Sequence, residues 1–92
     1  SLKELQIIEL ERCSLLGSIP SSLFQLPKIR QVVFYGNSFT GTLPQSLVNA
    51  IKLERLEVGS NKLYGSIPEN ITQLMNLKQF YAVDNRLTGT IP

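Results

Sequence analysis

Apolar residues recur at one fixed period along this chain. Leu5, Ile29, Leu53 and Leu77 stand 24 residues apart, and the same step links Ile8, Val32, Leu56 and Phe80. It links Leu10, Phe34, Val58 and Ala82, then Leu15, Phe39, Leu63 and Leu87, then Ile19, Leu43, Ile67 and Ile91. Gly17, Gly41, Gly65 and Gly89 keep the step, as do Pro20, Pro44, Pro68 and Pro92. Such a unit is too short to enclose its own core, so units must stack and share one. The apolar-x-apolar alternation within each unit has the period of a strand. After the Pro, apolar residues fall every third position, as in Leu23, Leu26, Ile29 and in Ile71, Leu74, Leu77. With Pro at a first helical position, that spacing predicts a short 3₁₀-like return. Each unit therefore predicts one short strand, a turn and a tight return. Stacking lines the strands up as a parallel sheet on one side of the coil.

Polar columns refine this picture. Cys13, Asn37, Asn61 and Asn85 share one phase, just past the strand. A sharp turn there leaves backbone donors and acceptors inside the coil. An inward Asn supplies both a donor and an acceptor, so it can bond the backbone of its own and the next turn. Cys13 takes that place in the first unit and reads as a small buried core residue rather than a reactive thiol. The Gly column marks a backbone position with positive φ or close approach between turns.

Composition removes several functions. The chain has 92 residues and a formal net charge of +2, too little for a nucleic-acid or anionic-membrane stripe. Lys28, Arg30, Lys52, Arg55, Lys62 and Lys78 are scattered across phases, as on a solvated surface. No apolar run approaches the roughly 18 residues of a transmembrane helix. The chain has no His and a single Cys. His-based triads, His metal sites, internal disulfides and Cys-cluster zinc sites are thereby excluded.

The full unit reads L-x-x-L-x-L-x-x-N/C-x-L, followed by x-G-x-I-P. Its specific mark is Leu15-Leu16-Gly17-Ser18-Ile19-Pro20, repeated as Phe39-Thr40-Gly41-Thr42-Leu43-Pro44 and Leu63-Tyr64-Gly65-Ser66-Ile67-Pro68, and again from Leu87 to Pro92. This pattern resembles the leucine-rich repeat family, specifically its plant-type class, over the whole chain. The resemblance implies an α/β leucine-rich repeat solenoid, a curved right-handed coil. A parallel β-sheet would line its concave face, short 3₁₀ or irregular segments its convex side, and the L-x-G-x-I stretch would add a second short sheet. Family members include ectodomains of plant receptor-like kinases and receptor-like proteins, and secreted inhibitors of microbial cell-wall enzymes. By resemblance, the chain is a recognition module rather than an enzyme. It would take a peptide or protein ligand, with a co-receptor as a further partner and no cofactor. Its place would be the extracellular side of the plasma membrane, or secretion. The alternatives are an inhibitor, a structural spacer or an intracellular protein-interaction scaffold.

The phase divides the chain into a partial repeat 1–4, repeats 5–28, 29–52 and 53–76, and a truncated repeat 77–92. No paired-Cys cap is present. The expectation is an internal segment that is marginally stable or self-associating in isolation.

Alternation also locates the variable surface. With the Leu-x-Leu columns pointing in, their neighbours point out onto the concave sheet. These are Ile7, Glu9 and Glu11; Gln31, Val33 and Tyr35; Arg55, Glu57 and Gly59; and Gln79, Tyr81 and Val83. Arg12, Gly36, Ser60 and Asp84 edge the face. Val33, Tyr35, Tyr81 and Val83 read as an exposed contact patch, or as ordinary strand formers. Gly59 predicts a hollow between Tyr35 and Val83. Glu9, Glu11 and Glu57 form an acidic end suited to a cationic partner group or simply solvated. Metal binding and glycosidase-like acid/base chemistry are disfavoured, because no third group converges on them. Asn70-Ile71-Thr72 is the sole N-glycosylation sequon, placed away from the sheet.

Overall fold

A computed structural model describes residues 2–68, 71 and 73–88. Its eight strands form two parallel sheets of four. The first sheet joins β1 (Ile7–Glu9), β3 (Gln31–Val33), β5 (Arg55–Glu57) and β7 (Gln79–Tyr81) in chain order. The second joins β2 (Leu16–Ser18), β4 (Ser38–Gly41), β6 (Lys62–Ser66) and β8 (Arg86–Thr88). Consecutive neighbours in each sheet are one turn of the coil apart. The returns after Pro20 and Pro44 are 3₁₀ segments, Ser21–Gln25 and Gln45–Asn49. A further 3₁₀ turn spans Leu2–Glu4. No α-helix occurs among the described residues, where every helical segment is 3₁₀.

The every-third spacing of apolar residues has a direct structural meaning. The Leu23 N–H donates to the Pro20 carbonyl, Leu26 to Leu23, and Ile29 to Leu26. The same chain of bonds links Pro44, Leu47, Ala50 and Leu53, and then Pro68, Ile71, Leu74 and Leu77. Each inward apolar residue is thus also the bonded residue of a tight turn. One detail differs from expectation. Pro20 and Pro44 do not occupy the first helical position. They precede it in extended conformation, with ψ of 131° and 141°.

The two sheets keep different registers. In the first, Ile7 pairs with Gln31 and Gln31 with Arg55, at the repeat length. In the second, Leu16 pairs with Ser38, Thr40 with Lys62, and Tyr64 with Arg86, each two residues short of the repeat. Gly17, Gly41 and Gly65 have φ between 84° and 90°, the left-handed region the glycine column foretold.

Between the sheets and the returns lies one core. Phe24, Ile29, Val32, Leu47, Leu53, Leu56, Val58 and Leu63 are completely or almost completely buried in it. Phe34 and Phe39 pack with ring centroids 5.0 Å apart. The Asn column forms a ladder through this core. Asn61 Nδ2 donates to the Phe34, Val58 and Gly59 carbonyls, while its Oδ1 accepts from the Phe39 N–H. Asn37 and Asn85 repeat the pattern on their own and the preceding turn. The ladder therefore reaches backwards, to the earlier turn rather than the next. Cys13 departs from the expected buried core position. It is exposed, and its Sγ lies 3.2 Å from the Glu11 carbonyl. No turn precedes it among the described residues, so nothing covers its outer side.

Candidate functional site: the concave sheet

The first sheet carries three lateral rows of side chains. Strand register aligns Ile7, Gln31, Arg55 and Gln79 in one row, and Glu9, Val33, Glu57 and Tyr81 in the next. Beyond the strands, backbone bonds continue the stacking. The Arg12 N–H donates to the Tyr35 carbonyl, Gly36 to Gly59, and Ser60 to Val83. These bonds hold a third row of Glu11, Tyr35, Gly59 and Val83.

The rows divide by chemistry. At the first turn, Ile7, Glu9 and Glu11 are exposed. At the fourth, Gln79 is exposed, Tyr81 is 46% exposed and Val83 69%. The two middle turns are quieter. Arg55 Nη2 donates to Glu57 Oε2 at 2.6 Å, and both residues are half-buried. This pairing removes Glu57 from the acidic group expected with Glu9 and Glu11. Arg55 Nε is buried without a hydrogen-bond partner among the described residues. Gln31 and Tyr35 are half-buried.

Two expectations fail here. Val33 is not part of an exposed patch, since its exposure is 0%. It is a short side chain on a concave surface, between the longer Glu9 and Glu57 in register. The hollow at Gly59 is also filled. A methyl group there would lie 3.5 Å from Tyr35 Cδ2, 3.6 Å from Val83 Cγ2 and 3.3 Å from the Val83 carbonyl oxygen. Tyr35 and Val83 thus close over the glycine, leaving an apolar floor rather than a hole.

The edge of the face holds features that strand alternation does not reveal. Arg12, Gly36, Ser60 and Asp84 all adopt positive φ, between 51° and 75°. Gly, Ser and Asp in one column are the sequence signal for such a turn, and Arg12 is its exception. Gly36 also makes room for Arg12. A Cβ on Gly36 would meet Arg12 Cγ at 2.9 Å. Arg12 instead lies with its Cζ 5.6 Å from the Tyr35 ring centroid, a cation–π contact. Further along, the Ser60 hydroxyl donates to Asp84 Oδ2 at 3.1 Å.

Below the rows, Arg30 Nε donates to Glu54 Oε2 at 2.9 Å, and Arg30 Nη1 to Gln6 Oε1 at 3.1 Å. The Arg30 hydrogen bond, above all, holds the Glu54 carboxyl below its usual range. Partial burial opposes this, and the charges of Arg30 and Lys78 add to the lowering. The same bond and the Glu54 charge raise the Arg30 guanidinium, against desolvation. The second sheet contributes an open groove lined by Asn61, Lys62, Tyr64, Asp84, Asn85 and Arg86. No group of His, Cys, Asp and Glu among the described residues is arranged to hold a metal ion. The sequon residue Asn70 lies outside the described residues.

Repeat phase, two parallel sheets, 3₁₀ returns and an Asn ladder define a leucine-rich repeat solenoid. The Leucine Rich Repeat family profile matches residues 4–26 and 52–74, half of the chain. The chain belongs to the leucine-rich repeat family, and within it to the plant type. Among curated proteins, none matches it significantly by sequence. Solved structures do match. One is the plant peptide hormone receptor RGFR1 in complex with RGF2, at 37% identity and a TM-score of 0.93, covering 98% of this chain and 14% of that receptor. A second is the BIR3–SERK2 complex from Arabidopsis thaliana, at 37% identity and a TM-score of 0.91, covering 99% of this chain and 50% of the matched one. A third is the ectodomain of the Arabidopsis receptor kinase HAESA, in complex with an N-terminally extended IDA peptide hormone ligand. It shows 40% identity and a TM-score of 0.90, covering 99% of this chain and 15% of that ectodomain. The chain thus spans half or less of each of these relatives.

Proposed function

We propose that this chain is a recognition segment of the extracellular part of a membrane receptor, of the receptor-like kinase or receptor-like protein kind. It takes a peptide or protein ligand on its concave sheet. The observation that carries this proposal is the exposed pair Tyr81 and Val83, next to a Tyr35 pinned by Arg12. Large aromatic surface on a rigid sheet offers contact area at low entropic cost. The likeness to receptor ectodomains solved with peptide hormones supports it. A co-receptor is the natural second partner, given the likeness to a complex containing SERK2.

The test is selection of a displayed random dodecapeptide library on the purified chain, with affinities measured by fluorescence anisotropy. Tyr81→Ala is expected to weaken the selected peptides about tenfold, and Tyr35→Ala less. Circular dichroism should be unchanged. Full affinity in both variants would move the binding surface off the concave face.

A further inference from the structure

The carboxylates among the described residues fall into two groups. Glu4 pairs with Lys28 at 2.7 Å, Glu54 with Arg30 at 2.9 Å, and Glu57 with Arg55 at 2.6 Å. Asp84 accepts the Ser60 hydroxyl. Glu9 and Glu11 have no side-chain partner among the described residues. Both are exposed; Glu9 stands on β1, and Glu11 follows two residues later in the turn that continues the concave face. The neighbouring cation, Arg12, is turned onto the Tyr35 ring. The opposite end of the same face, at the fourth turn, is apolar and aromatic through Tyr81 and Val83. Between the ends the strand rows are level and carry no unpaired charge: Val33 is buried, Arg55 and Glu57 neutralise each other, and Gly59 is covered, with Arg12 over Tyr35 at the edge of the face.

We propose that the concave face takes an extended peptide lying across the strands. A Lys or Arg side chain sits over Glu9 and Glu11, and an aromatic or large aliphatic side chain four residues away sits against Tyr81 and Val83. This rests on the concave-face proposal above and adds the ligand's polarity and spacing. The spacing follows from geometry. Strands about 4.8 Å apart put the first and fourth turns roughly 14 Å apart. An extended peptide advances about 3.4 Å per residue, so four residues span this distance. Four is also even, so both side chains leave the same side of the peptide. A spacing of three or five directs one of them away. The residue midway between them meets Val33 and the Arg55–Glu57 pair, where no charge is left to match.

The test uses the 92-residue chain and labelled synthetic peptides containing Lys-Ser-Pro-Ser-Phe or its reverse, Phe-Ser-Pro-Ser-Lys. Controls shorten the spacing by one residue, or replace the Lys by Glu. Anisotropy should show one of the two directions binding better than every control. Glu9→Gln and Glu11→Gln should each weaken it about threefold, as for exposed charge pairs, and added salt should do likewise. Equal binding of the controls, or no loss in either variant, overturns the proposal. The selected library separates this failure from that of the concave-face proposal. Peptides that lose affinity with Tyr81→Ala but carry no cation four residues from an apolar side chain refute the polarity alone. Peptides indifferent to both Tyr81→Ala and Tyr35→Ala remove both proposals together.

Discussion

Phe34 and Val58 are sealed in the middle turns, whereas Leu10, in the same column one turn out, is 41% exposed, and Ala82 is only half-buried. The Asn column shows the same gradient. Asn37 and Asn61 are buried, Asn85 is half-buried, and Cys13 is exposed. Position in the repeat decides which way a side chain points. Position in the stack decides how much it contributes, because each inward residue is covered from both neighbouring turns. Residues identical by pattern are therefore unequal in energy.

The largest expected difference comes from truncating the core at both kinds of turn. Leu56→Ala in the middle should cost about 3 kcal/mol in urea denaturation, through lost burial and the cavity left behind. Leu10→Ala at the first turn should cost below about 1 kcal/mol, since much of that side chain is already in water. Equal losses would mean that the end turns are covered in solution. Next comes the ladder. Asn61→Ala removes the acceptor of the Phe39 N–H and one of two donors from each of the Phe34, Val58 and Gly59 carbonyls, and should cost about 1–2 kcal/mol. Cys13→Ser should be close to neutral, given the exposure of Cys13.

The smallest effect concerns charge at the rim of the sheet. The folded state holds Glu54 below the usual carboxylate range, so its pairing with Arg30 adds stability above that range. The contribution disappears as pH falls through the lowered folded value. Thermal melts of wild type and Glu54→Gln should therefore differ at neutral pH and converge in acid, with high salt shrinking the gap.

Most of the fold was legible because every structural need recurs at the repeat length. The apolar columns, the Pro-led returns, the positive-φ glycines and the Asn ladder each gave several independent copies of one signal. What stayed hidden depends on neighbours across turns. Alternation gave Val33 its direction but not its cover, which comes from residues a full turn away in both senses. Cys13 shares a phase with Asn37 but lacks its surroundings. The two-residue slip of the second sheet also escaped notice, since columns record sequence phase and not strand pairing. On the sheet, the exposure of Tyr81, Val83, Glu9 and Glu11 followed from alternation alone. The placement of Arg12 on Tyr35 was not, because it depends on the missing side chain of Gly36.

The Asn ladder has a consequence for how such a molecule can change. Asn37 accepts from the N–H groups of Cys13 and Leu15 and donates to the carbonyl of Leu10, spanning 24, 22 and 27 residues at once. One side chain thus gauges the length of a whole turn against three marks. A residue inserted between the strand and its Asn would break the gauge and throw the next concave row out of line. An insertion in the outer return would leave all three marks to be met by a longer loop. The convex side is where a lineage can add or lose residues while the rows facing a ligand keep their spacing.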